Sequence, residues 1–371
     1  MEQVISYSGI ATKLRAMRRE LLTEAQLQRL AAFRLSSQKA KFLSGFKPYA
    51  DLFDCKREKE LHRSEVERRL VLSELRDFDR LYRFGNARQK RFLKLYFGHF
   101  EADALRRLLH EALSRESGGV PEPENVAETP AGVRAETPAG TQANAFYVLL
   151  QKYSKLDLHT LLKGRRLADL IGGLRETPYY LPLRRLYERG NARAADYETA
   201  IDMRYFAEMW KWKDKLLTKE EQRIIERTFG SRIDLLNMSW IYRAKRYFSM
   251  SGDELYTLLI PVRARLSKEA IQEMVTAPDL AALRAAEQKT CYGSRLPVSG
   301  NGAEAGSLRE AREALLRSLY EAEARKHPFS IAPINTYFFL KEKEIERIVS
   351  VIEESHYEEL QSEGHKTEEP V

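Results

Sequence analysis

The chain has 371 residues, of which 43% are hydrophobic and 31% charged, with a formal net charge of +8. This length allows two or three domains. The two cysteines, Cys55 and Cys291, are too few for a disulfide framework or a zinc site. No apolar run approaches the roughly 18 residues of a membrane span, and the N-terminus lacks the apolar core of a signal peptide. We therefore expect a soluble cytosolic protein.

The first third of the chain has the pattern of amphipathic helices. Leu27, Leu30 and Phe33 recur at helical spacing after Thr23, which has the residue type of an N-cap. Residues 70–82 carry a second apolar stripe. Straight-chain residues that lose little rotamer freedom in a helix dominate the composition. We predict an all-α fold.

The segment 114–145 interrupts this pattern. The sequence AETPAG occurs in it twice, at Ala127–Gly132 and Ala135–Gly140. A stretch of Pro, Gly, Ala, Thr and Glu without large apolar residues cannot bury enough surface to offset the entropy of ordering. The segment is therefore predicted to be a disordered insertion.

Helical signals resume after the insertion. Residues 201–210 form another apolar stripe. Thr218 is followed three residues later by Glu221, which is the spacing of a capping box, and Ser267 precedes a helical run in the same way. The Gly- and Ser-rich residues 293–307 predict a flexible loop, because their glycine spacing misses the dinucleotide-binding pattern and follows no strand.

One short pattern occurs three times, at residues 95–109, 228–241 and 336–350. Each copy has an aromatic residue, then a short polar turn, and then a helix with an acid that is followed three residues later by Arg or Asn. These pairs are Asp103 and Arg106, Asp234 and Asn237, and Glu344 and Arg347. Positions three apart share a helix face, so each pair either orients its helix within the protein or contacts a partner. A weaker similarity between the three thirds of the chain occurs in the short segments Leu22–Glu24, Leu162–Gly164 and Leu266–Lys268.

The repeat predicts three similar helical domains, and stacked helical units tend to enclose a concave binding surface. The predicted segments are a first repeat at 1–113, the insertion at 114–145, a second repeat at 146–250, a third repeat at 251–361 and a polar tail at 362–371.

The basic charge is concentrated at one end, since residues 1–115 carry 25 Lys and Arg against 15 Asp and Glu. This excess is either a solvated helix face or a surface for acidic protein, lipid headgroups or nucleic acid. A basic helical-repeat nucleic-acid-binding protein is therefore an alternative function, with neighbours such as Tyr242 and Arg243 available for stacking. The acidic C-terminal repeat disfavours it.

Motifs that would indicate an enzyme are missing from the sequence. It has no phosphate-binding P-loop, no H-E-x-x-H and no G-x-S-x-G, and its seven histidines are scattered. A hydrolase using Glu342 and Glu344 is disfavoured, because residues two apart on a helix point about 200° apart. We expect no catalytic, cofactor or metal site.

Three segments carry a family resemblance: NTYFFLKEKEIERIVSVIEES at 335–355, YETAIDMRYF at 197–206 and RIDLLNMSWIYRAKRYF at 232–248. They resemble the C subunit of V/A-type rotary ATPases, which is called the d subunit in eukaryotes. The resemblance implies three helical domains arranged as a pseudo-threefold funnel. It also implies a non-catalytic protein without cofactor, which sits peripherally on the cytoplasmic face of the membrane rotor ring and receives the central-stalk shaft. The transported ion is either a proton or sodium.

The resemblance and the repeat together select nine candidate partner-binding residues. They are Asp103, Arg106, Asp234, Asn237, Tyr242, Arg243, Lys341, Glu344 and Arg347.

Overall fold

The computed structural model describes residues 2–53, 63–116, 138–164, 166–248, 250–297 and 305–364, and every regular element in these ranges is helical. The all-α prediction is thus confirmed. The first helices are α1 (Glu2–Arg19), α2 (Glu24–Ala31), α3 (Ser36–Ser44), α4 (Arg63–Phe84), α5 (Ala87–Tyr96), α6 (Gly98–Glu116), α7 (Pro138–Gln151), α8 (Leu158–Lys163) and α9 (Leu167–Gly172). They are followed by α10 (Tyr180–Arg189), α11 (Ala194–Leu216), α12 (Lys219–Ile225), α13 (Ser231–Tyr247), α14 (Gly252–Leu258), α15 (Lys268–Thr276), α16 (Leu280–Gln288), α17 (Ala305–Lys326) and α18 (Ala332–Gly364).

The predicted N-cap residues lie at the starts of helices, where their side chains accept backbone N–H groups as expected. Thr218 caps α12, and the Glu221 carboxylate accepts the backbone N–H of Thr218 at 2.9 Å, which completes the capping box. Thr23 caps α2, and Ser267 caps α15 by accepting the backbone N–H of Ala270 at 3.1 Å. Each cap satisfies N–H groups that the first helical turn leaves without an intrahelical acceptor.

The chain forms two compact units. The first comprises Met1–Asn86, Pro121–Lys155 and Ile334–Val371, so it joins the two ends of the sequence. Helix α4 packs on α7 within this unit. The apolar stripe at 70–82 faces its core, where the rings of Phe78 and Phe338 lie 6.4 Å apart.

The second unit comprises Ala87–Val120 and Leu156–Pro333. Helix α11 packs on α6, and α13 packs on α15, α16 and α17. The rings of Phe206 and Phe229 lie 5.4 Å apart in its core. Phe229 lies in a single π-helical turn, Glu226–Gly230, which joins α12 to α13.

Several predicted segments fall partly outside the described residues. Helix α6 runs to Glu116 and α7 begins at Pro138, so both ends of the 114–145 segment are helical, and residues 117–137 lie outside the described ranges. The 293–307 segment begins with a 3₁₀ turn and ends in α17, and residues 298–304 lie outside those ranges, as do 365–371 of the tail. The three-domain division and the funnel stay predictions.

Candidate functional site

The acid of the second copy, Asp234, fastens a loop to α13. Its side chain is fully buried and accepts the backbone N–H groups of Ala264, Arg265 and Leu266 at 3.3, 2.8 and 3.2 Å. The hydroxyl of Tyr292 donates a fourth bond at 2.8 Å. Burial raises the pKa of Asp234, and the bonds from Arg265 and Tyr292 oppose that shift. The carboxylate is therefore a structural acceptor for the segment that leads into α15.

Asn237, one helical turn further along α13, holds the same loop at a second point. Its amide oxygen accepts the backbone N–H of Ile260 at 2.9 Å, and its amide nitrogen donates to the Ile260 carbonyl at 3.2 Å. Only an amide side chain offers both a donor and an acceptor in this geometry. This requirement explains why the second copy has Asn where the other copies have Arg.

The acid of the third copy, Glu344, has a similar set of partners in the first unit. It is buried on α18 and accepts the backbone N–H of Leu22 at 2.5 Å and the hydroxyl of Tyr49 at 2.7 Å. The ammonium of Lys341 donates to Glu344 at 2.9 Å and to the Tyr49 hydroxyl at 2.6 Å. Burial and the negative charge of Glu344 raise the pKa of Tyr49. The buried lysine is thus neutralised by the acid and kept hydrogen-bonded.

The second and third copies therefore share one arrangement, which we call the acid–tyrosine lock. In each, an acid on the repeat helix accepts the backbone N–H of the leucine before a capped helix, Leu266 or Leu22. A buried tyrosine, Tyr292 or Tyr49, donates to the same acid. The tyrosines follow these leucines by 26 and 27 positions. The lock ties the two ends of a helical segment to one carboxylate.

The first copy holds its acid with side chains. Asp103 accepts from Arg107 Nε at 2.9 Å and from Arg106 Nη2 at 3.4 Å. Arg106 also pairs with Asp202 on α11. Burial acts to raise the pKa of Asp103, but Arg107 and then Arg106 outweigh it, so the pKa is lowered. This carboxylate is ionised and anchors α6 to α11 through arginine.

In the second predicted repeat, the capped helix begins earlier than the similarity at Leu162–Gly164 suggested. Asp157 caps α8 by accepting the backbone N–H of Thr160 at 3.1 Å, directly after Leu156. Leu162–Gly164 instead forms the end of α8, so that similarity was placed in the wrong register. The corresponding buried tyrosine is Tyr179, which follows Pro178 as Tyr49 follows Pro48.

The remaining candidates differ in exposure. Tyr242 is buried, and its hydroxyl accepts from Arg246 at 2.6 Å. Arg347 is partly exposed and makes two bonds of 2.6 Å to Glu24 in the first turn of α2. Arg243 is exposed and has no partner among the described residues. Only in the first copy does the residue three positions later pair with its acid. Contact with a partner protein stays a prediction for all nine.

The two lock tyrosines, Tyr49 and Tyr292, were not among the predicted site residues. Their signal is the nearly constant distance from a Leu-Thr or Leu-Ser pair that starts a capped helix, at Leu22 and Leu266. Among the described residues, no group of His, Cys, Asp and Glu is arranged to hold a metal ion. None of the described helices is long and apolar enough to cross a membrane.

Comparison with known proteins gives one consistent result. The family described as ATP synthase (C/AC39) subunit matches residues 10–362. The A-type ATP synthase C subunit of Methanosphaera stadtmanae is 23% identical over 350 residues, covering 92% of this chain and 82% of the relative. The proteins of the same name from Methanobrevibacter smithii and Methanosarcina acetivorans are 24% and 26% identical, over 199 and 183 residues. These two matches span 52% and 48% of this chain, and 51% and 48% of the relatives.

Proposed function

Because the chain belongs to the ATP synthase (C/AC39) subunit family, we propose that it is the coupling element of a V/A-type rotary ATPase. It is an accessory, non-catalytic protein that sits peripherally on the membrane rotor ring, at the cytoplasmic face, and receives the central-stalk shaft. ATP hydrolysis or synthesis is thereby coupled to the movement of protons or sodium ions. The family match along 10–362 carries this proposal.

The acid–tyrosine locks suit a part that transmits torque. A coupling element has to keep its shape while one partner turns against the resistance of the other. Each lock joins segments far apart in sequence, such as Glu344 and Leu22, through buried bonds to a charged acceptor. Bonds of this kind are about twice as strong as neutral ones and are shielded from solvent. They stiffen each unit internally.

Among the nine candidates, Arg243 is placed best for direct contact with a partner. Its guanidinium is exposed on α13 without a partner among the described residues, whereas Asp234 and Asn237 on the same helix are occupied by the loop that they hold. We assign the acids, Asn237 and Lys341 a positioning role, in which they fix the helices that present the contact surface.

The direct test is isolation of the complex from native membranes. The chain should co-migrate with the rotor ring and the central-stalk shaft through native electrophoresis and size exclusion. Membranes depleted of the chain should still hydrolyse ATP in the soluble sector but should lose ATP-driven ion transport. Absence of the chain from the purified complex, or full transport without it, would overturn the proposal.

A charge reversal tests the contact surface. Arg243→Glu should weaken capture of the shaft, while the matched variant Arg223→Glu on α12 should leave it unchanged. Both arginines are exposed, so both variants should fold. Equal shaft affinity for the two variants would remove Arg243 from the contact surface.

A further inference from the structure

Helix α10 has an exposed face that no part of the proposed coupling role uses. It occupies the connection between the buried Tyr179 and α11, within the second unit. Leu183 is its only fully buried side chain. Leu181 is 61% exposed and Tyr187 is 44% exposed. Leu181 lies on the outer side of the helix, roughly opposite Leu183, whereas Tyr187 points about 120° away from Leu181. Burial of the exposed Leu181 against another apolar surface would be favourable.

The outer side of α10, which carries Leu181, is basic. Arg185 and Arg189 are exposed, and Arg193 follows just beyond the end of the helix. These three guanidinium groups have no partner among the described residues. The nearest acid along the helix, Glu188, is occupied by Arg184 at 2.7 Å. The positive charge of the three arginines is therefore available to an external anion.

Arg184 and Tyr180 complete the surface at the start of the helix. The Arg184 guanidinium donates to the Tyr180 hydroxyl at 2.9 Å and lies over the Tyr180 ring, 5.7 Å from its centroid. The left-handed Gly190 (φ 72°) ends the helix and allows the chain to turn towards Arg193. Around the helix axis, Arg184 thus lies on one side of the exposed Leu181, and Arg185 and Arg189 lie on the other.

We propose that α10 is an interfacial helix that binds the anionic headgroup region of a lipid bilayer. Leucine enters the boundary between headgroups and acyl chains, and flanking arginines bind lipid phosphates, often through two hydrogen bonds. The outer side of α10 is a convex helix surface with exposed arginines, which fits a fluid layer of phosphates. This inference goes beyond the proposed function, which assigns only protein partners to the chain.

The charge contribution can be measured by neutralising two arginines. Each basic side chain at an anionic surface contributes about five-fold to the partition coefficient, so Arg185→Gln with Arg189→Gln should weaken binding by about 30-fold. Leu181→Ala removes an inserted apolar group and should weaken binding by roughly ten-fold at unchanged charge. The second variant separates a lipid surface from any other polyanion.

The experiment is co-sedimentation of the full chain with vesicles of phosphatidylcholine, alone or mixed with phosphatidylserine, at physiological salt. The double variant Arg223→Gln and Arg309→Gln is the control, because it removes the same charge from two exposed arginines on α12 and α17. We expect wild type and control to bind only the mixed vesicles, with the losses given above for the α10 variants. Far-UV circular dichroism checks that each variant is folded.

Three outcomes would overturn the inference. If the wild-type protein does not co-sediment with the vesicles that contain phosphatidylserine, it has no site for anionic lipid. Equal losses for the α10 and control double variants mean that only net charge matters. Unchanged binding by Leu181→Ala, together with equal binding to the polyanion heparin, assigns the face to an acidic protein or nucleic acid. The assay contains neither ring nor shaft, so its failure is distinct from a failure of the coupling role.

Discussion

Replacing Asp234 by Asn tests whether the acid–tyrosine lock stabilises the second unit. The substitution keeps the shape of the side chain, so it creates no cavity. It removes the charge that three backbone N–H groups and Tyr292 share, and it turns an amide N–H₂ towards at least one of these donors. Hydrogen bonds to a charged group contribute about 1.5–3 kcal/mol, and a buried donor left unsatisfied costs about 1–3 kcal/mol. We expect Asp234→Asn to lower the free energy of unfolding by about 3 kcal/mol.

Tryptophan fluorescence reports this unit selectively. The three tryptophans, Trp210, Trp212 and Trp240, all lie in the second unit. Urea unfolding followed at these residues therefore measures the unit that contains Asp234. Because the chain has two units, its unfolding as a whole need not be two-state. The urea transition is therefore fitted only to the tryptophan fluorescence, and its midpoint is compared between variants.

A partner substitution and a matched control complete the test. Tyr292→Phe removes one of the four bonds and should cost about 1.5–2 kcal/mol. In the double variant Asp234→Asn with Tyr292→Phe, the two losses in free energy of unfolding should not add, because both substitutions act on the same hydrogen bond. Asp253→Asn makes the same chemical change at an exposed site and should stay within about 0.5 kcal/mol of wild type. The stabilising role of the lock is refuted if Asp234→Asn also stays within that range, or if the losses from Asp234→Asn and Tyr292→Phe are fully additive.

Further predictions concern the other copies. Asn237→Ala removes two backbone bonds and should cost about 2 kcal/mol by tryptophan fluorescence; an unchanged midpoint would contradict this. Glu344→Gln leaves a buried lysine without its counter-charge and should cost about 3 kcal/mol by circular dichroism. Arg347→Ala breaks a partly exposed pair and should cost less than about 1 kcal/mol; a loss equal to that of Glu344→Gln would refute the distinction. Because the folded-state pKa of Asp103 is lowered, its stabilisation is present above about pH 4 and is lost on acidification. The stability difference between wild type and Asp103→Asn should therefore shrink below that pH, and a constant difference would contradict the ion-pair explanation.

The helical elements could be predicted because their causes are local. The capping box of Thr218 and Glu221 needs only four consecutive residues, and the same is true of the cap at Ser267. The three acids were found for a similar reason, since each lies five or six positions after an aromatic residue, Phe97, Phe229 or Phe338. A pattern that repeats within a short window carries this information in the sequence itself.

The partners of those acids could not be predicted, because the bonds are distant in sequence and involve backbone atoms. Glu344 binds the N–H of Leu22, which lies 322 positions away. A backbone N–H is present at almost every residue, so sequence alone gives no preference for Leu22. Among the three copies, the acid pairs with the residue three positions later only at Asp103 and Arg106, where both members are side chains.

The joining of the two chain ends in one unit has a consequence for biosynthesis. The N-terminal residues Met1–Asn86 belong to the same unit as Ile334–Val371. During translation the first part must remain incomplete while about 250 further residues are made, which takes about 12–50 s at usual elongation rates. The buried faces of α1 to α4 stay open to chaperones for this time, whereas the second unit can fold as it emerges. A circular permutant that joins residue 371 to residue 1 and opens the chain near Asn86 would make two of the three segments of the first unit, Ile334–Val371 and Met1–Asn86, in succession.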